Sequence, residues 1–177
     1  MKFIILLSIS LLLIGCNKPI HRNNEITRIE FARSGAWSDF GASISIDSSL
    51  NYKYWGDYKG AKQKYFAGKT TEGFWDTVNV KLEKVKFKTI IPTSYSGCKD
   101  CEYYELIVYW NNKKRRILRT DYQQRDSVMR VFKWLDSSYN SVKLKQVKDS
   151  IKFETTTHFL VKQRIKSIKF PPPQKLK

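Results

Sequence analysis

The spacing of apolar residues along the chain changes character several times, and each change marks an element. Residues 26–33 (ITRIEFAR) alternate with Ile29 and Phe31 on one side, as in a half-buried strand. Ala42–Asp47 alternates strictly and places Ile44 with Ile46. Ser48-Ser49 turns the chain, and Leu50–Trp55 returns with Tyr52 and Tyr54 on one side. Gly56-Asp57 and Lys59-Gly60 are further turn signals, and Gln63–Ala67 reads as a short strand. Between Thr71 and Val85 the period lengthens: Phe74, Trp75, Val78, Leu82 and Val85 share one helical face, with Thr70 or Thr71 as cap. Phe87–Ile91 is expected to be a short strand stopped by Pro92.

A polar loop from Thr93 to Glu102 precedes Tyr103–Trp110 (YYELIVYW), which is apolar on both sides, as in a central strand. Asn111-Asn112 is a turn pair, and Lys114–Thr120 is the returning arm of a hairpin. A second helix is expected over Asp121–Asn140, where Val128, Val131, Phe132, Leu135 and Tyr139 form its apolar stripe. Val142–Gln146 and Ile151–Val161 read as strands; in the latter Ile151, Phe153, Thr155, Thr157, Phe159 and Val161 share a side. The order strands, helix, hairpin, helix, strands predicts an α+β domain over residues 26–161, an antiparallel sheet with two amphipathic helices packed on one face. The tail 162–177 is basic, contains Pro171-Pro172-Pro173 and is expected to be extended.

The N-terminus follows a different rule. Phe3–Ile14 is an apolar run broken only by Ser8 and Ser10, too short for a membrane span of about 20 residues and within the roughly 7–15 residues of a signal peptide. It ends in Leu13-Ile14-Gly15-Cys16, which resembles the lipobox of bacterial lipoproteins. The resemblance implies that residues 1–15 are removed and that Cys16 carries the lipid. Multiple acyl chains meet the condition for stable anchoring, at about 0.8 kcal/mol per buried methylene. Residues 17–25 (NKPIHRNNE) have no apolar period and read as a tether.

A second resemblance covers about two thirds of the chain, from Ile26 to Tyr139. An opening strand ending in Arg33, a loop with Gly35 and Gly41, a strand at Ala42–Asp47 and Tyr54-Trp55-Gly56 are followed by helix, hairpin and helix. This pattern is similar to a family of small bacterial lipoproteins and secreted proteins catalogued as a domain of unknown function. It implies a fold and an envelope location but no activity. Members often carry cysteines and a proline in the first loop, which here reads SGAWSDFG and has neither.

Charge adds the next constraint. The chain has 33 Lys+Arg and 16 Asp+Glu, a formal +17, of which the leader supplies only Lys2. Lys113, Lys114, Arg115, Arg116 and Arg119 cluster around one hairpin turn, and residues 142–177 hold ten basic residues against Asp149 and Glu154. Such density commonly points to nucleic acid. Beside a lipid anchor it points instead to anionic lipid, surface polysaccharide or an acidic protein, or to a solvated surface. Tyr52, Tyr54, Trp55, Tyr58, Tyr65 and Phe66 interleave with lysines, a pattern that suits cross-strand packing better than a stacking surface.

Specific chemistry is sparse. Cys98-Lys99-Asp100-Cys101 is expected to form a loop disulfide in an oxidising compartment. A thiol–disulfide exchange site would need a helix after the first cysteine to stabilise a thiolate, and here a strand follows. Zinc would need two further ligands, and only His21 and His158 offer imidazole. No phosphate loop, dinucleotide fingerprint or nucleophile elbow is present, and no cofactor is expected. The expectation is a non-catalytic, lipid-anchored binding protein of the bacterial envelope, at the outer membrane or periplasmic face, with an inhibitor or immunity type as one version. A redox protein using Cys98 and Cys101 is the alternative. Replacing Cys16→Ser is expected to abolish labelling by a clickable fatty acid and to release the protein from the membrane fraction.

Overall fold

The computed structural model describes residues 25–35, 41–92, 101–120 and 126–157. Seven strands form one antiparallel sheet: β1 (Ile26–Ser34), β2 (Gly41–Asp47), β3 (Asn51–Tyr58), β4 (Ala61–Lys69), β5 (Tyr103–Trp110), β6 (Lys113–Thr120) and β7 (Lys145–Val147). Their spatial order is β6-β5-β1-β2-β3-β4-β7. Strands β1 to β4 are a meander, and the β5–β6 hairpin adds to the free side of β1. The turns follow local chemistry. Asp47 accepts from the backbone N–H of Ser49 (3.0 Å) and Asn51 (3.1 Å), closing the β2–β3 connection. Asn111 and Asn112 take φ of 43° and 60°, and Lys59-Gly60 take 47° and 84°. Positive φ at both central residues matches the strand twist of a two-residue hairpin, which is why Asn and Gly occur there.

Register turns the alternation of each strand into continuous rungs. Phe31 lies opposite Ile44 and Leu106, Ile44 opposite Tyr54, Tyr54 opposite Phe66, and Leu106 opposite Ile117. The next rung joins Val108, Ile29, Ile46 and Tyr52. These side chains share one hydrophobic cluster with residues of the two helices, α1 (Glu72–Lys84) and α2 (Ser127–Ser137). Helix α1 contributes Trp75, Val78 and Leu82, and α2 contributes Val128, Met129, Val131, Phe132 and Leu135. Thr71 caps α1 by accepting from Phe74 N at 3.2 Å, and Asp126 caps α2 by accepting from Val128 N at 3.0 Å. Phe132 meets Phe31 edge-on at 5.7 Å, and Phe74 stacks on Trp134 at 5.1 Å, joining the helices. The buried Tyr52 hydroxyl is satisfied by Ser138 Oγ at 2.7 Å.

The structure departs from the sequence pattern at four places. Phe87–Thr89 is a 3₁₀ turn, where a strand is predicted over Phe87–Ile91. Lys86 has φ of 53°, and Phe87 is buried edge-on against Trp110 at 5.1 Å, so one anchor residue sets the conformation. The second helix begins at Ser127 and ends in a 3₁₀ turn, Ser138–Ser141; residues 121–125, within its predicted span, lie outside the described part. The predicted strand Val142–Gln146 is shorter and later, Lys145–Val147. Residues 151–156 form no strand. Thr155 and Thr157 are nevertheless buried, and Ile151 and Phe153 partly so, which keeps the predicted side together. His158, Phe159 and Val161 lie outside the described residues, as does the tail 162–177.

Among the described residues no helix is long and apolar enough to cross a membrane. Phe132 is fully buried at the contact between α2 and β1. Truncation by Phe132→Ala is expected to lower unfolding free energy by about 3–5 kcal/mol in a denaturant titration, because a cavity adds to the lost transfer energy.

Candidate functional site

The alternation that sends Ile29 and Phe31 into the apolar cluster sends Arg28, Glu30, Ala32 and Ser34 to the other face of the sheet. Register places Glu30 opposite Ser45 and Ile107, Ala32 opposite Ser43 and Glu105, and Arg28 opposite Tyr109. Glu30 is 3 % exposed and Glu105 0 %. Two carboxylates buried in a sheet face are costly unless each is hydrogen-bonded or paired.

The compensation comes from the chain after β7. Glu154 N donates to Glu30 Oε2 at 2.6 Å. Thr156 N, Thr157 N and Thr157 Oγ1 all donate to Glu105 Oε2, at 2.7, 2.8 and 2.8 Å. Arg116 Nη1 lies 3.2 Å from Glu105 Oε1, and Arg28 Nε 3.7 Å from Glu30 Oε1. Residues 151–157 are therefore a strap whose backbone amides bond to side-chain carboxylates of β1 and β5 instead of to a neighbouring strand.

The strap returns one carboxylate to the sheet. Tyr109 Oη donates to Glu154 Oε2 at 2.8 Å, and Lys114 Nζ pairs with Glu154 Oε1. Arg116 Nη2 lies 3.8 Å from the same Oε1 and 3.4 Å from the Glu154 carbonyl oxygen. The Arg28 guanidinium sits 4.0 Å over the Tyr109 ring. The hydrogen bond from Lys114, followed by that from Tyr109, holds the Glu154 carboxyl below the usual carboxylate range. Burial, and then the bond to Glu154, pushes the Tyr109 phenol up to about 12.

The basic residues of the β5–β6 hairpin do not form one surface. Lys113, Arg115 and Arg119 alternate with Lys114 and Arg116, so a regular strand sends the two sets to opposite faces. Arg115 Nη1 donates to the Ile90 carbonyl at 2.7 Å. Arg119 Nε pairs with Asp126 at 2.8 Å. Lys114 and Arg116 engage Glu154 and Glu105. Lys113 is exposed and makes no ion pair among the described residues. Lys113 and Lys114 line an open groove of about 640 Å³ with Thr27, Tyr109, Trp110 and the Asn111-Asn112 turn.

A second polar cluster joins residues far apart in sequence. Arg33 Nε lies 3.1 Å from Asp136 Oδ1, and Arg33 Nη1 donates to Glu102 Oε1 at 3.4 Å. Tyr104 Oη donates to Glu102 Oε2. Burial raises the Asp136 carboxyl, with Arg33 opposing. Arg33 is prominent in the sequence as the end of the first strand, but no spacing rule links it to Glu102 or Asp136. The same holds for Glu30 and Glu105, each the single acid of its strand. That placement was the available signal, since a lone acid in a strand buried on both sides must find a partner.

The aromatic residues between Tyr52 and Lys69 divide by alternation. Tyr52, Tyr54 and Phe66 enter the core, while Trp55 and Tyr65 face each other across β3 and β4 on the opposite side. Cys101 is 4 % exposed and disulfide-bonded. Cys16 and Cys98 lie outside the described residues, as do His21 and His158. Among the described residues no three His, Cys, Asp or Glu side chains group as a metal site. The chain matches no protein-family model and no curated protein sequence.

The strap makes Glu105 the most consequential carboxylate. Glu105→Ala leaves two backbone amides and one hydroxyl without their acceptor and Arg116 without its buried partner. The expected loss is about 3 kcal/mol or more of unfolding free energy. Limited proteolysis is expected to cut the variant within residues 148–157 faster than the parent.

Proposed function

We propose that this protein is a lipid-anchored envelope protein that recognises an anionic partner without catalysing a reaction. In this reading residues 1–15 are a cleaved signal, Cys16 carries the lipid, residues 17–25 are a tether, and residues 26–161 form one α+β domain. The two helices pack on one face of the sheet, a placement supported by the single hydrophobic cluster they share with Ile29, Phe31, Ile44 and Ile46. The other face and the β5–β6 turn are then left for recognition.

The observation that carries the proposal is the groove at the β5–β6 turn. It combines the ammonium of Lys113, which makes no ion pair among the described residues, with Lys114 and the side-chain amides of Asn111 and Asn112 in an open cleft. Such a set holds an anion by charge and orients it by neutral donors. The formal +17 of the chain supplies long-range attraction. The thiol–disulfide alternative turns on Cys98, which lies outside the described residues, since Cys101 is buried.

Co-sedimentation of the full chain with anionic liposomes, acidic polysaccharide or immobilised acidic peptide is expected to fall steeply between low and physiological salt. Lys113→Glu is expected to weaken binding about tenfold at low salt, the effect of reversing one charge near the ligand. Salt-independent recovery, or unchanged binding by Lys113→Glu, would refute the proposal.

A further inference from the structure

We infer that the Glu154 carboxylate is an internal stand-in for a ligand carboxylate, and that Tyr109, Lys114 and Arg116 form a site for an acidic side chain of a partner protein. The inference rests on the anion-recognition proposal above and specifies its ligand and its regulation.

Three donors from two adjacent strands converge on one carboxylate. Tyr109 and Lys114 are register partners on β5 and β6, and Arg116 follows Lys114 by two residues, on the same face. Their contacts to Glu154 are a phenol bond at 2.8 Å, an ammonium pair and a guanidinium at 3.8 Å. Arg28, stacked over the Tyr109 ring at 4.0 Å, adds a third cation beside the site. Charge-assisted donors of this kind select a carboxylate by charge and by the positions of its two oxygens.

The occupant can leave without unfolding the strap. The Glu154 side chain is 35 % exposed, whereas its backbone N–H is fixed independently by Glu30. Thr156 and Thr157 are fixed by Glu105. Rotation about the Glu154 side-chain torsions would therefore free Tyr109 and Lys114 while the strap stays in place and Arg116 keeps its bond to the Glu154 carbonyl. Arg116 keeps its contact with Glu105 at 3.2 Å throughout, so the site stays oriented when empty. The groove containing Lys113 and Lys114 opens beside it, giving an incoming chain a path to the donors. A Glu side chain of the chain itself fills the site from within, which favours an acidic peptide over an acidic sugar as the external ligand. The internal carboxylate lowers apparent affinity by the fraction of time the site is filled.

The test uses the full chain and a labelled oligoglutamate peptide, titrated at low ionic strength. Glu154→Gln is expected to bind about tenfold more tightly than the parent. Asp149→Asn makes the same change in net charge at an exposed position of the same segment and is expected to leave affinity unchanged. Adding Lys114→Ala to Glu154→Gln should remove the gain. A Glu154→Gln protein that binds no better than Asp149→Asn, with unaltered unfolding midpoint, overturns the inference and leaves anion recognition standing. If none of the proteins binds any anionic probe, anion recognition falls and the inference with it. A gain for oligogalacturonate that exceeds the gain for oligoglutamate overturns the assignment to a protein partner.

Discussion

Two buried carboxylates govern the second face of this sheet. Glu105 sits in a strand otherwise apolar on both sides and Glu30 in the neighbouring β1, and each needs donors that a sheet ladder cannot supply. The strap 151–157 supplies them from its backbone, and Arg116 supplies a charge. The strap in turn cannot pair as a strand, because the amides of Glu154, Thr156 and Thr157 are already committed to side chains. The order of the hairpin cations, the placement of Glu154 and the exposure of Lys113 all follow from this exchange.

The two faces of the sheet are held by different forces. On one face, burial of aromatic and aliphatic side chains supplies most of the folding free energy, at about 25 cal/mol per Å² removed from water. On the other, paired charges contribute less net stability, because desolvation offsets much of their attraction. What they contribute is position. Tyr109, Lys114 and Arg116 are held by a regular hairpin and oriented by carboxylates, the preorganisation that the proposed anion recognition would use. A net positive chain thus keeps its central hairpin cations largely paired, and Lys113 at the turn is the member with no ion pair among the described residues.

Much of the fold was legible in residue patterns. Strict alternation at Ala42–Asp47, the run YYELIVYW with apolar residues on both sides and the Asn111-Asn112 pair each correspond to an observed strand or turn. The stripe Trp75, Val78 and Leu82 is the buried side of the first helix, and Thr71 is its cap. Misses came where one residue or one long-range contact outweighed the local pattern. Phe87 anchors a 3₁₀ turn against Trp110, a contact made across more than twenty residues of sequence. Ile151–Thr157 alternates like a strand but has its amide partners in Glu30 and Glu105.

The sequence by itself determined the alternation and period of nearly every element, the turns between them and the sign of the surface charge, because each depends on neighbours within a few residues. The tertiary structure decided which cations are paired, which carboxylates are buried and where the strap lies. Those outcomes depend on strand order: β5 pairs with β1, not with β4, and this brings Glu30 beside Ile107 and places Tyr109, Lys114 and Arg116 under Glu154. A run of five cations in sequence became two opposed sets because strand side chains alternate, and only the fold shows which set meets an acid.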